Sequence, residues 1–265
     1  MKNLRVAIVQ LSAGGNVERN LQKMRNLLSG IRPVDLIAVP EVFAIRGTDQ
    51  DYRNIAEQVD GPIVVQMAEI AAEKAAWVLA GTFIEKDGNH IYNTSVLLNR
   101  SGEITATYRK IHLFEVHLDN GKLIRESDAY EAGNTPVVVE IEGWRAGLSI
   151  CYDLRFPELF RHYSKEGAHL FLIPSNFTQR TGKDHWEVLL RARAIENQCF
   201  VVAPNQCGAN PATGIASYGH SMVAGPWGEI MCQADTKETV LLAELDRVQL
   251  TRTRERLPAL KHRFF

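Results

Sequence analysis

The chain has 265 residues, a formal net charge of −1 and 45% apolar residues, which is enough to fill one sizeable core. That charge balance leaves no basic footprint for nucleic acid, and no apolar run reaches the length that spans a bilayer. The segment Met1 to Gln10 is basic and then apolar but lacks the longer apolar core and small-residue cleavage site of an export signal. It reads as a first strand, and the expected compartment is the cytoplasm.

Leu4 to Val9 is a strand by its β-branched content. Val17, Leu21, Met24, Leu27, Leu28 and Ile31 recur at helical spacing and form one apolar face. Asp35 to Val39 is a buried strand, and Asp60 and Pro62 open a helix whose apolar face includes Ile63, Met67 and Ile70. Trp77 to Phe83 returns as a strand. Ile91 to Leu98 and Glu103 to Tyr108 flank Asn99-Arg-Ser-Gly102, a hairpin signature. Leu113 to Gly133 has little apolar periodicity and is expected to be an irregular loop, a common place for binding residues. Leu148 to Ile150 form a strand that ends at Cys151, and Pro157 suits the first turn of a helix ending near Gly167. The strand His169 to Ile173 follows. Asp184 and Glu187 have the spacing of a capping box for a helix through Ile195. Cys199 to Ala203, His220 to Ala224, Glu229 to Met231 and Val240 to Leu245 are further strands, and the basic segment Arg252 to Arg263 comes last. Alternating β and α units imply an α/β fold with helices outside the sheet, in one domain over residues 1–265.

The cysteines are Cys151, Cys199, Cys207 and Cys232; none forms a Cys-x-x-Cys pair, and no His/Cys spacing resembles a zinc site. No metal or other cofactor is expected, and the thiols are expected to be reduced. Cys199 and Cys207 read as packed thiols. Cys151 is different: it falls at a sharp strand-to-helix turn, where an exposed sulfur near a helix N-terminus has a lowered thiol pKa and N–H donors for an oxyanion. A small core residue is the competing reading. Glu41 stands where a strand leaves the core, Lys110 directly follows another strand, and Glu126 lies in the irregular segment. Such charges are seldom buried without a partner or a task, although a strand-end ion pair or plain solvation would account for each singly.

Together these residues resemble the catalytic set of the carbon–nitrogen hydrolase (nitrilase) superfamily, which is Glu, Lys, a second Glu and Cys. The motifs that carry the resemblance run nearly end to end: Val6 to Gln10, Ala38 to Glu41, Tyr108 to Leu113, Cys151-Tyr-Asp-Leu-Arg-Phe-Pro-Glu158, His185 to Glu196 and Tyr218 to Ser221. The resemblance implies an α-β-β-α sandwich that forms a homodimer or a higher homo-oligomer through the helices beginning at Pro157 and Asp184. It implies Glu41 as general base, Cys151 as nucleophile, Lys110 with the Tyr152 N–H as oxyanion hole, and Glu126 as the group that holds Lys110 or orients substrate. Within the superfamily the chain is similar to the amidase branch that contains deaminated glutathione amidase and omega-amidase, on Thr181-Gly182, His185-Trp-Glu187, Val202 to Gly208 and Ala216 to Met222. The implied partner is a small-molecule amide bearing carboxylates, for which Arg180, Asn176 and Thr181 are candidate binding residues. An N-carbamoyl hydrolase, a nitrilase proper, a glutaminase module, a papain-like hydrolase and a non-catalytic binding protein are the other readings. His185 and Trp186 are expected to be structural.

Overall fold

The computed structural model describes residues 2–117 and 123–264. In chain order the elements are β1 (Leu4–Gln10), α1 (Val17–Ser29), β2 (Leu36–Ala38), α2 (Asp49–Ile55), α3 (Pro62–Lys74), β3 (Trp77–Asp87), β4 (His90–Leu98), β5 (Ile104–Arg109), β6 (Glu115–His117) and β7 (Leu123–Arg125). They continue with β8 (Val138–Ile141), β9 (Trp144–Leu148), α4 (Pro157–Lys165), β10 (Leu170–Leu172), α5 (Gln179–Asn197), β11 (Phe200–Ala203), β12 (Met222–Ala224), β13 (Ile230–Gln233), β14 (Thr239–Leu245) and α6 (Arg247–Arg256). The strands build two six-stranded sheets, ordered β14-β1-β2-β3-β4-β5 and β13-β12-β11-β10-β9-β8, plus the β6-β7 hairpin.

Each large sheet has three parallel strands at its centre, β1-β2-β3 in one and β9-β10-β11 in the other, flanked by antiparallel strands. Parallel strands need both faces covered, and the alternation in β1 shows how this is done. Leu4, Val6 and Ile8 join the core that contains β9, β10 and β11, whereas Ala7 and Val9 pack with α1 and α3. Helices α4 and α5 cover the far face of the second sheet through Leu159, Phe160, Tyr163, Trp186, Leu190 and Ala194. The result is the expected α-β-β-α sandwich.

Several sequence expectations need correction. Helix α2 was not legible because none of its seven residues is buried; Thr48 and Asp51 hold it with a capping box instead. Helix α5 starts at Gln179 with Thr178 as N-cap, so Asp184 and Glu187 lie inside it and form no capping box, and Glu187 pairs with Arg191. Cys151 opens a 3₁₀ turn, Cys151–Arg155, and β9 ends at Leu148. The segment expected to be irregular contains the β6-β7 hairpin and a 3₁₀ turn, Glu126–Asp128; its residues 118–122 lie outside the described residues. The closing basic segment is the second half of α6 and a 3₁₀ turn, Ala259–His262.

One close approach sets the position of Glu41. Gly81, at the irregularity in β3 between Ala80 and Phe83, has φ +21, and a Cβ built there would stand 1.9 Å from the Pro40 carbonyl oxygen. Nothing larger than a hydrogen fits between β3 and the residue before Glu41. Gly81→Ala is therefore expected to destabilise the protein by at least about 2 kcal/mol through forced backbone displacement. Thermal denaturation checks this, and an unchanged Tm contradicts it.

Candidate active site

The residues singled out in the sequence converge beside the C-terminal ends of the central parallel strands, where α/β sheets commonly hold ligands. Glu41 follows β2 after Val39 and Pro40, Cys151 follows β9 after two residues, and Asn176 lies four residues past β10. Lys110 is the residue after β5, and its N–H donates to the Asn93 carbonyl of β4 at 2.9 Å.

The Lys110 ammonium is fully enclosed and lies 2.9 Å from Glu41 Oε1 and 2.7 Å from Glu126 Oε2. Plain solvation is thereby excluded for Lys110. Burial alone would pull its pKa down, but the Glu126 and Glu41 carboxylates outweigh it and hold the value well above the ordinary lysine range. Lys110 stays charged. Burial also raises the pKa of Glu126, against the pull of Lys110, with the Glu41 charge adding to the rise. Glu126 is anchored from a second side, since Phe114 N–H donates to its Oε2 at 2.8 Å and its own N–H returns to the Phe114 carbonyl.

Glu41 is held at both carboxylate oxygens and at its carbonyl. Its Oε1 accepts from Asn93 Nδ2 and Lys110 Nζ, both at 2.9 Å, and its Oε2 accepts from Asn176 N–H at 2.8 Å. The Glu41 carbonyl accepts from Gln206 Nε2 at 2.9 Å. The Glu41 charge raises the Cys151 thiol pKa and the Asn176 N–H opposes the rise, which places the thiol close to the carboxylate.

Cys151 sits in the left-handed region with φ +45, a costly conformation for a residue with a side chain, and its N–H donates to the Pro174 carbonyl at 3.0 Å. The turn is sharp, as the sequence implied, but two expectations fail. The residue is buried, not exposed, and its thiol pKa is raised well above the ordinary value, not lowered. Burial is the main cause and the Glu41 charge adds to it, while Lys110 and the Asn176 N–H act in opposition. The resting sulfur is a thiol, so it needs a base. The Tyr152 N–H is among the donors that a helix start leaves without an intrahelical acceptor.

Sequence reasoning missed Asp153, which ties the cysteine turn to the lysine segment. This fully buried carboxylate accepts from Tyr108 hydroxyl at 2.7 Å, His112 N–H at 3.0 Å and Ile150 N–H at 2.8 Å, and lies 2.7 Å from His112 Nδ1. Tyr108 and His112 flank Lys110, and Ile150 and Asp153 flank Cys151 with Tyr152 between. It also missed Asn93, which reaches Glu41 from β4, and Arg155. The half-buried Arg155 guanidinium lies 5.7 Å from the Tyr152 ring centre and 5.2 Å from that of Phe177, with Nη1 3.3 Å from His185 Nδ1. It has no carboxylate partner among the described residues. The motif in which Arg155 stands could have flagged it. Arg180, which the sequence suggested as the substrate cation, is exposed at the second position of α5, and Thr181 bonds Thr178 through its hydroxyl at 2.9 Å. Trp186 is buried with its indole N–H on the His220 carbonyl, a structural role as expected. The four cysteines are unpaired, and no cluster of His, Cys, Asp and Glu among the described residues is arranged to hold a metal.

Known proteins give this geometry a context. The family model for carbon–nitrogen hydrolases matches residues 5–255. A deaminated glutathione amidase of Synechocystis is 36% identical over 272 residues, covering 100% of both chains. An omega-amidase of Bos taurus is 31% identical, covering 97% of this chain and 94% of that one. A CN-hydrolase superfamily protein of Xanthomonas campestris, with an arsenic adduct in its active site, superposes with a TM-score of 0.90 at 29% identity, covering 100% of this chain and 98% of that one. Sequence and architecture thus agree along the whole described chain, which belongs to the carbon–nitrogen hydrolase family and is a cysteine amidohydrolase acting on non-peptide C–N bonds.

Proposed function

We propose that Cys151, Glu41, Lys110 and Glu126 are the catalytic residues, working within one hydrolase domain over residues 1–265. The observation that carries this reading is the enclosed Lys110 ammonium clamped by both carboxylates, with the Cys151 thiol close enough to feel all three charges. Glu41 takes the thiol proton as Cys151 Sγ attacks the amide carbonyl, and the oxyanion forms against Lys110 Nζ–H and the Tyr152 N–H. Glu41 returns that proton to the leaving nitrogen as the C–N bond breaks, leaving a thioester on Cys151. Water then loses a proton to Glu41 and attacks the thioester, the acid departs, and the thiol is restored. Glu126 keeps Lys110 in place and charged.

The substrate is a small amide bearing carboxylates, and deaminated glutathione is the reading best supported by the similar full-length relatives. Cleavage would release 2-oxoglutarate and cysteinylglycine. Arg155 supports a carboxylate-bearing substrate, being a cation on an aromatic platform next to the Cys151 turn with no acidic partner among the described residues. Arg180, Asn176 and Thr181 remain binding residues in this proposal. The second reading, omega-amidase action on 2-oxoglutaramate, is favoured by the bovine relative and needs the same acyl half. A homodimer through α4 and α5 is part of the proposal, since Val188 and Ile195 expose 67% and 50% of their surface on α5. The proposed compartment is the cytoplasm; no helix among the described residues is long and apolar enough to cross a membrane.

Cys151→Ala is expected to abolish turnover, by roughly 10⁴-fold or more, with the fold intact. Glu41→Gln is expected to cost about 10²–10⁴-fold in kcat/KM through loss of the base. It should nevertheless leave Cys151 open to iodoacetamide, and at lower pH than in the wild type, because removing the Glu41 charge lets the raised thiol pKa fall. Full activity in either variant contradicts the assignment.

Release of 2-oxoglutarate from deaminated glutathione and from 2-oxoglutaramate, with Cys151→Ala as blank, decides between the two substrates. A higher kcat/KM for deaminated glutathione is expected. A higher value for 2-oxoglutaramate selects the second reading, and turnover of neither rejects the substrate class. Arg155→Met should raise KM for the accepted substrate by about 10–100-fold, the loss of a charge-assisted contact, and an unchanged KM removes Arg155 from the site.

A further inference from the structure

Arg46 is fully buried, and all its contacts are to neutral oxygens. A guanidinium has five N–H groups, and here each has an acceptor. Nε donates to the Ala13 carbonyl at 2.9 Å, Nη1 to the Gly208 carbonyl at 3.3 Å and Ser217 Oγ at 2.6 Å, and Nη2 to the Ala209 carbonyl at 2.9 Å and Ser12 Oγ at 3.4 Å. Arg46 therefore has no donor left for a ligand. Its effect on the site must pass through what it holds.

The chain of bonds has a direction. Arginine can only donate, so Ser217 Oγ accepts from it, and the Ser217 hydroxyl hydrogen is free to go elsewhere. It goes to Asn176 Oδ1 at 2.6 Å, a length typical of O–H···O and short for N–H···O. The acceptor end of the Asn176 amide is thereby taken. Turning the amide over would leave the Ser217 hydroxyl hydrogen without this acceptor, so the orientation with Oδ1 on Ser217 is favoured. The Asn176 Nδ2 group has no partner among the described residues, and the backbone N–H of the same residue donates to Glu41 Oε2.

We propose that Ser217, oriented by Arg46, is a positioning residue that locks the Asn176 side-chain amide with its two N–H donors toward the substrate. The class of group they read is an oxygen acceptor on the acyl half, such as a 2-oxo or carboxylate oxygen. The inference rests on the amidase reading above and adds to it the reason why Asn176 discriminates. A freely turning amide would offer an acceptor as often as a donor and would repel such an oxygen in half its states.

A double-mutant cycle tests this without disturbing Arg46, which holds several segments together. Ser217→Ala is expected to raise KM for the better of 2-oxoglutaramate and deaminated glutathione about tenfold, with kcat changed by less than about threefold. Ser217→Thr, which keeps the hydroxyl, should restore KM. In an Asn176→Ala background, Ser217→Ala should cost nothing more, because the serine acts only through that amide. Propionamide, which has no second oxygen acceptor, should show no dependence on Ser217. An unchanged KM in Ser217→Ala, or the same loss in both backgrounds, overturns the relay while leaving the amidase reading intact. A wild type inert toward both 2-oxo-acid amides instead removes the substrate class and the relay together.

Discussion

The placement of one ammonium group governs this structure. Lys110 is sealed from water, and a buried cation costs several kcal/mol unless opposite charges and hydrogen bonds compensate it. Glu41 and Glu126 provide that compensation from two different parts of the chain, and Asn93 and Phe114 hold the carboxylates in turn. The two carboxylates keep the lysine charged, and the lysine makes it tolerable to enclose them together. Removing either partner would leave a buried charge uncompensated. This also gives the proposed mechanism its preorganisation, since a positive charge stands ready where negative charge develops and no solvent need reorganise.

The sulfur is subject to the opposite pressure. Burial and the Glu41 charge raise the Cys151 pKa, so the thiolate is disfavoured at rest, which is why the proposed mechanism gives Glu41 the part of base. The backbone strain at φ +45 has to be borne by the surroundings, among them Asp153 on the Ile150 N–H and the Pro174 carbonyl on the Cys151 N–H. By accepting from Ile150 on one side of the cysteine and from Tyr108 and His112 on either side of the lysine, Asp153 fixes the distance between segments that belong to different sheets. The site is therefore built across the sandwich, and the packing of the two sheets is a condition of the proposed chemistry.

Much of this was legible in the chain itself. The β-branched runs and the 3.6-residue apolar spacing mark the central strands and the covering helices, because those elements bury one or both faces. Glu41, Lys110, Glu126 and Cys151 stand out as charges or thiols at the ends of apolar runs, and the motifs around them resemble a known catalytic set. What escaped has no such signature. Helix α2 buries none of its residues, and α5 begins before its apolar pattern does. The depth of Cys151, and with it the direction of its pKa, depends on segments far away in sequence. The Asp153, Arg155 and Arg46 roles are likewise tertiary: each is an ordinary polar residue until the carbonyls, rings and hydroxyls around it are in place.

The most direct test of the account is rapid-quench mass spectrometry of the protein mixed with a turned-over amide, followed by mapping of the adduct. The account predicts an added acyl mass, confined to the peptide that contains Cys151, which forms and decays within the turnover time and is absent from Cys151→Ala. Turnover that proceeds with no acyl adduct on Cys151, or with the adduct on another residue, would contradict it.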